Sequence, residues 1–268
     1  MRGFAYSKPN SVQEAAALLA STAESRSIAG GMSLLPSMKQ RLSRPGTLID
    51  LSGIAALRGI IADVGMLTIG AMTLHVDVAD SSVVRKSIPA LAELAGRIGD
   101  PAVRNRGTIG GSLANNDPAA DYPAAVLALG ATIVTNKREI TADRFFRGFF
   151  ETALQPGELI TAVKFPVPVS ASYAKVQNVA SRFALVGVFV ARFSSGVRLA
   201  VTGAGPGVFR LPAFESALSK RFTPDAVDGL GVDATTTTLS SDIHAEAAFR
   251  AHLVVVMAKR AVAAALAD

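Results

Sequence analysis

The chain has 268 residues, half of them hydrophobic and 18% charged, with 27 Lys and Arg against 21 Asp and Glu for a net charge of +6. That length buries a substantial core in one large domain or two modest ones, and the basic balance favours nucleotides, phosphates or acidic partners. The absence of cysteine excludes a disulfide framework, a cysteine nucleophile, and any zinc or iron–sulfur site held by thiolates.

The N-terminus, Met1-Arg2-Gly3-Phe4-Ala5-Tyr6, lacks the apolar stretch of a signal peptide. Ser11-Val12-Gln13-Glu14 is a capping-box pattern that opens a helix over Ala15 to Ala20. Ser27-Ile28-Ala29 reads as a short strand running into Gly30-Gly31. A second helix is expected over Leu34 to Leu42, and Thr47 to Leu51 reads as a strand. Helix, strand, helix and strand therefore alternate through the first fifty residues, with a glycine pair at a strand-to-helix turn.

Arg58 to Ala71 reads as a hairpin, with strands at Ile60-Ile61 and Leu67 to Ile69. Thr73 is placed as the cap of a helix to Asp80, and Pro89 to Ala95 forms another. Gly99 to Asp121 is then expected as a long ordered loop rich in Gly, Asn, Asp and Pro, a length that in a compact domain marks function. A helix over Pro123 to Leu129 and strands at Ala131–Thr135 and Glu158–Phe165 follow. Pro166, Pro168 and Ser170 to Ser172 mark a domain boundary.

Beyond the boundary, strands are expected at Tyr173–Val176, Phe183–Arg192 and Val197–Val201. Helices are expected at Pro212–Leu218, Pro224–Gly229 and about His244 to Leu266, the last burying a face with Phe249, Leu253, Val256 and Met257. The runs Phe183–Ala191 and Leu253–Ala258 are too short to span a bilayer, which points to a soluble cytoplasmic protein. The basic residues are scattered and Trp is absent, so a nucleic-acid interface is not expected. His75 is far in sequence from His244 and His252, whose spacing does not put them on one helical face, and each reads as a packing or surface residue rather than a metal ligand.

Two glycine-rich segments carry candidate chemistry: Ala29-Gly30-Gly31-Met32-Ser33 and Gly107-Thr108-Ile109-Gly110-Gly111-Ser112. Glycines let backbone approach closely at positive φ, consecutive N–H groups then form an anion-binding concavity, and a helix beginning after the loop adds its positive end. Ser33, Thr108 and Ser112 can add hydroxyl donors. Either glycine pair alone also reads as a tight turn, since neither matches the dinucleotide fingerprint or the phosphate loop.

The residues from Ala29 to Lys39, continuing through Arg44-Pro45 to Leu51, resemble the first FAD-binding segment of the medium subunits of molybdenum hydroxylases, the family of carbon monoxide dehydrogenase and xanthine dehydrogenase relatives. Ile98 to Asn115, continuing through Asp117 to Asp121, is similar to their second segment, and Pro156-Gly157-Glu158-Leu159-Ile160 to a third. The likeness covers essentially the whole chain. It implies an α+β fold: a vanillyl-alcohol oxidase (PCMH)-type FAD-binding domain over residues 1–168, in two α/β subdomains of about 1–53 and 54–168, and a small α+β C-terminal domain over 169–268.

The same resemblance implies the site. Ala29, Gly30, Gly31, Met32 and Ser33, with Thr108, Ile109, Gly110, Gly111 and Ser112, form the two loops around the FAD pyrophosphate. Asn115 lies near the phosphate or ribityl chain, Asp121 binds a ribose hydroxyl, Ile160 packs on the adenine or isoalloxazine region, and Lys175 lies near the flavin as a cation. Judged from the residues alone, Asp117 and Asp121 could instead cap a helix, Lys175 could lie on the surface, and Arg104 and Arg106 could be solvated or face an acidic partner. Met32, Ser112, Phe183 and Phe249 depart from residues common in the family. No catalytic side chain and no metal site is implied on this chain. The molybdenum cofactor and the 2Fe-2S clusters would sit on a large and a small partner subunit, in a dimer of heterotrimers. A free-standing flavin oxidoreductase of the same fold is the competing reading.

Overall fold

The computed structural model describes residues 3–232 and 238–267. Its first unit is a three-stranded parallel sheet, β1 (Ala5–Ser7), β2 (Ser25–Ile28) and β3 (Thr47–Asp50), in the order β1-β3-β2. Helix α1 (Val12–Ser21) precedes β2, and α2 (Leu34–Lys39) lies between β2 and β3. The capping box forms: Glu14 N–H donates to Ser11 Oγ at 3.1 Å, and Glu14 Oε2 reaches back to the Asn10 N–H at 3.0 Å. Helix α2 stops at Lys39 rather than Leu42, and Leu42 is exposed. A small core of Ala15, Ile49, Leu51, Ile54, Leu57, Met72 and Leu159 closes this unit.

The second unit is a five-stranded antiparallel sheet in the order β4-β5-β10-β6-β7. Its strands are β4 (Ile60–Asp63), β5 (Met66–Gly70), β6 (Thr132–Thr135), β7 (Glu139–Thr141) and β10 (Ile160–Pro166). The β4–β5 hairpin turns at Gly65, whose φ of 69° glycine adopts without strain. Helices α3 (His75–Asp80), α4 (Ser82–Ser87), α5 (Pro89–Gly96), α6 (Pro101–Arg104), α7 (Ile109–Asn115) and α8 (Tyr122–Ala128) lie between β5 and β6, and α9 (Ala142–Phe145) and a small hairpin of β8 (Phe146–Gly148) and β9 (Glu151–Thr152) between β7 and β10.

Two expectations change here. The segment expected as a 99–121 loop holds two short helices, α6 and α7, because Asp100 and Thr108 cap them through their side chains; side-chain oxygens can satisfy the free N–H groups of even a single turn. Thr73 does not cap α3. Its hydroxyl pairs with the Gly59 backbone, and Leu74 takes the cap position.

The third unit is an antiparallel sheet of β11 (Ser170–Gln177), β12 (Ala184–Phe193), β13 (Gly196–Thr202) and β14 (Phe209–Arg210), with α10 (Pro212–Lys220) and α11 (Ala247–Ala267). Alternation sorts its residues. Tyr173, Phe189, Ala191 and Ala200 join the core of the second unit, while Val186, Val188, Val190, Leu199 and Val201 join the core under α10 and α11. A strand buried on both faces reads as a continuous apolar run, which explains Ala184 to Ala191; Phe183, just before the strand, is half exposed. Leu253 and Met257 of α11 are buried, but Phe249 is half exposed, so the buried stripe begins one residue later, at Arg250. Among the described residues no helix is long and apolar enough to cross a membrane.

Candidate cofactor site

The two glycine loops converge. Strand β2 delivers Ala29 to Ser33 to the start of α2, and Gly31 takes a φ of 75°. A Cβ on Gly30 would lie 2.0 Å from the Arg106 carbonyl oxygen and 2.8 Å from Gly107 Cα, so only glycine allows the two backbones this contact. Gly111 faces the first loop as well, its Cβ direction lying 3.4 Å from the Ala29 methyl. The second loop is held from behind by the segment after β5. Gly110 N–H donates to Ala71 O at 2.8 Å, Ile109 N–H to Thr73 O at 3.2 Å, and His75 N–H to Gly107 O at 3.0 Å.

The N–H groups of Gly30, Gly31, Met32 and Ser33 donate to no protein acceptor among the described residues. Gly30 is half-buried and Gly31 buried, and N–H groups so placed nearly always find a partner; with the solvent-facing donors of Met32 and Ser33 they form a run of four that suits an anionic diester. Met32 and Ser33 are exposed, Ala29, Ser112 and Asn115 half-buried. Thr108 is buried and its Oγ accepts the Gly111 N–H at 3.1 Å, which makes its side chain the cap of α7. Ile109 is fully buried in the second core, and Ile160 lies in the same core. The open donors, the glycine-only contact and the exposed serine fit a pyrophosphate.

Asp121 and Lys175 form a buried ion pair 2.9 Å apart, with side chains 1% and 0% exposed. Asp121 Oδ1 also accepts from the Tyr173 hydroxyl at 2.5 Å, whereas Oδ2 has no partner among the described residues. The Lys175 ammonium donates to Arg97 O at 2.9 Å and Arg182 O at 3.0 Å as well, so its three protons are all committed. Burial pushes the Asp121 carboxyl up and the Lys175 ammonium down, each opposed by the charge of the other. Neither Asp117 nor Asp121 caps α8 through its side chain: Asp117 Oδ1 instead accepts the Ala119 N–H at 2.9 Å in a local turn. Arg104 is spent on its own neighbourhood, donating to Ile98 O and Gly99 O, and Arg106 is exposed.

Glu158 anchors the segment that ends at Ile160. Its side chain is fully buried and accepts from Arg138, Thr135 Oγ and the Gln155 N–H. Burial raises this carboxyl, but those donors outweigh it and bring it down to about 2.

Two supporting residues were not tied to the glycine loops from the sequence: Asn116 was not singled out, and His75 was read as a packing or surface residue, of which the structure shows packing. Asn116, next to the expected Asn115, takes a left-handed φ of 45° and is buried. Its amide nitrogen donates to Gly148 O at 2.9 Å and Glu151 O at 2.7 Å, clamping the β8–β9 hairpin to the end of α7. An Asn before Asp-Pro is a turn signal that could have singled it out. His75 packs behind Gly107. Burial and the charge of Arg104 lower its imidazole to about 4, and its Nδ1 has no partner, like the hydroxyl of Tyr122, whose ring centroid is 5.3 Å away. No sequence pattern marked it.

Comparison with known proteins agrees with this geometry. The FAD-binding domain of molybdopterin dehydrogenases matches residues 2–168. The chain is 36% identical to the carbon monoxide dehydrogenase medium chain of Hydrogenophaga pseudoflava, over 98% of this chain and 97% of that one. It is 34% identical to the nicotine 6-hydroxylase medium subunit of Paenarthrobacter nicotinovorans, over 96% and 95%. A solved structure of the H. pseudoflava carbon monoxide dehydrogenase, in a form that lacks the Mo-pyranopterin moiety of the molybdenum cofactor, superposes with a TM-score of 0.91, covering 99% of this chain and 98% of that one.

Proposed function

Since the chain belongs to the family of FAD-binding subunits of molybdopterin dehydrogenases, we propose that it carries FAD as the electron-transfer subunit of a heteromeric molybdenum hydroxylase, passing electrons from iron–sulfur clusters on a partner to an external acceptor. The observation that carries this reading is the convergence of the two glycine loops around four open N–H donors. Bound FAD supplies the redox chemistry; the protein supplies position and electrostatics.

In this reading the N–H groups of Gly30 to Ser33, with the hydroxyls of Ser33 and Ser112, hold the pyrophosphate. Asp121 offers Oδ2 to a ribose hydroxyl, Asn115 reaches toward the phosphate or ribityl chain, and Ile160 supplies apolar surface. Lys175 acts through Asp121, because its ammonium has no proton left for the flavin. No residue is needed to activate a substrate carbon, since that step belongs to a molybdenum centre on a large subunit. The cysteine-free sequence leaves the clusters to a small subunit. A cytoplasmic dimer of heterotrimers is the assembly this implies.

The test is purification of the tagged chain from its native host. The reading predicts two further polypeptides in equal proportion, with FAD, iron and molybdenum. A chain that comes alone, carries FAD and oxidises a substrate by itself would replace it with the free-standing oxidoreductase.

A further inference from the structure

From Ser25 to Ile49 the sequence carries Arg26, Lys39, Arg41 and Arg44 and no Asp or Glu. Three of these cations lie at the turn that follows α2. The turn is tied down at both ends. Arg41 N–H donates to Met38 O at 3.1 Å and Leu42 N–H to Ser37 O at 2.9 Å, the pair of bonds with which many helices close on a left-handed residue. At the far end Pro45 is buried and Gly46 N–H donates to Glu24 O at 3.0 Å. Two features run against the usual chemistry of such a turn. Its left-handed position, at φ 64°, is held by Arg41, where glycine is the ordinary residue. The apolar residue that follows commonly packs back on the helix, yet Leu42 is 78% exposed. Lys39, Arg41 and Arg44 are exposed beside it, and Arg44 Nε donates to Arg41 O at 3.2 Å. Among the described residues none of the three pairs with a carboxylate.

We propose that the Lys39–Arg44 turn is a docking surface for a partner subunit that offers an apolar socket for Leu42 inside an acidic rim. The inference rests on the reading of this chain as one subunit of a heteromeric enzyme, and adds the contact surface and the chemistry of its partner.

The partner's chemistry follows from the turn. A side chain projected from backbone already held in place binds with little ordering cost. A single exposed leucine leaves water only in an apolar socket, and the cations around it are matched by carboxylates at the socket's rim. Lys39 has a second use, since it lies in the last turn of α2 and complements the negative end of that helix. Arg41 and Arg44 lie beyond that end. The turn also stands apart from the cofactor loop. The open N–H groups of Gly30 to Ser33 precede α2, whose six residues rise about 9 Å before the turn begins.

The test purifies the tagged full-length chain from its native host as wild type, as Arg41→Gly and as the double variant Leu42→Ser, Arg44→Glu. It reads the partner subunits retained through washes of rising salt, the thermal unfolding of each chain, and FAD affinity by titration of the chain alone. We expect the double variant to weaken the complex about tenfold or more and to leave FAD affinity unchanged. Arg41→Gly should release the partners at lower salt than wild type while unfolding at no lower temperature, because glycine is relaxed at this φ; that separates docking from folding. A photo-reactive benzoyl-phenylalanine at position 42 should cross-link to an acidic segment of a partner subunit. Partners retained within about twofold of wild type by both variants at every salt would overturn the proposal. So would a cross-link to a second copy of this chain, or a loss of FAD affinity that matches the loss of partners, which would assign the cations to the cofactor. A wild-type chain that comes without partners would overturn the subunit reading and this proposal together, whereas partners held equally by wild type and variants would overturn this proposal alone.

Discussion

Replacing Gly30 by alanine tests the convergence of the loops with a single methyl group. The new Cβ would stand 2.0 Å from the Arg106 oxygen, 2.6 Å from its carbonyl carbon and 2.8 Å from Gly107 Cα. A carbon rests no closer than about 3.3 Å from a carbonyl oxygen, so the loops must part by roughly 1 Å. All three obstructing atoms are backbone, and no rotamer change relieves them. Overpacking of this kind costs about 1–3 kcal/mol of stability. A cradle misplaced by roughly 1 Å costs about a hundredfold in a function that depends on it, so FAD affinity should fall by about 10- to 100-fold. The assay is FAD titration followed by flavin fluorescence, beside thermal unfolding of the FAD-free protein. Gly46→Ala is the control, because its methyl meets nothing nearer than a Glu24 side-chain oxygen at 3.5 Å. Wild-type affinity in Gly30→Ala would refute the reasoning, since the loops could not then meet where the structure brings them together.

Three further outcomes follow from the supporting residues. Asn116→Ala removes two hydrogen bonds from the β8–β9 hairpin and leaves a β-carbon at φ 45° without its side-chain compensation; denaturant unfolding should show a loss of about 2–4 kcal/mol, and a loss under about 0.5 kcal/mol would contradict the clamp. Glu158, at about 2 in the folded state against 4.5 unfolded, stabilises the fold above pH 4.5, and this contribution disappears as pH falls toward 2. The shift corresponds to about 3 kcal/mol, which screening at half-exposed Arg138 reduces to about 1–2 kcal/mol; Glu158→Gln should lack that step in urea unfolding from pH 6 to 2. His75, at about 4 against 6.5 unfolded, stays neutral in the folded protein while the unfolded chain takes up a proton. Stability should therefore fall by about 3 kcal/mol between pH 6.5 and 4 and no further on this account, and His75→Gln should flatten that window.

Much of the architecture was legible because local chemistry agrees with tertiary placement. The Ser11–Glu14 capping box, the β4–β5 hairpin and the doubly buried β12 all form as their residues suggest. The misreadings share a cause. Gly99 to Asp121 looks like a loop by composition, but Asp100 and Thr108 cap short helices with their own side chains, and a one- or two-turn helix has too few residues to show periodicity. Thr73 resembles a cap until Gly59 takes its hydroxyl from fourteen residues away. At the site, the glycine loops stand out in sequence, whereas their meeting depends on a contact between Gly30 and Arg106 that no local pattern encodes. Lys175 is legible as a cation, but not as one already saturated, because its three acceptors come from distant segments.

The central claim is that these two loops hold FAD. It is tested most directly by the visible spectrum of the purified full-length chain after FAD is added and the excess removed, beside a Gly31→Asp, Gly111→Asp variant that places carboxylates in the cradle. The account predicts a retained flavin spectrum in the wild type, release of intact FAD on denaturation, and no flavin in the variant. A colourless wild type that stays colourless when produced together with its partner subunits, or a variant that keeps its flavin, would contradict it.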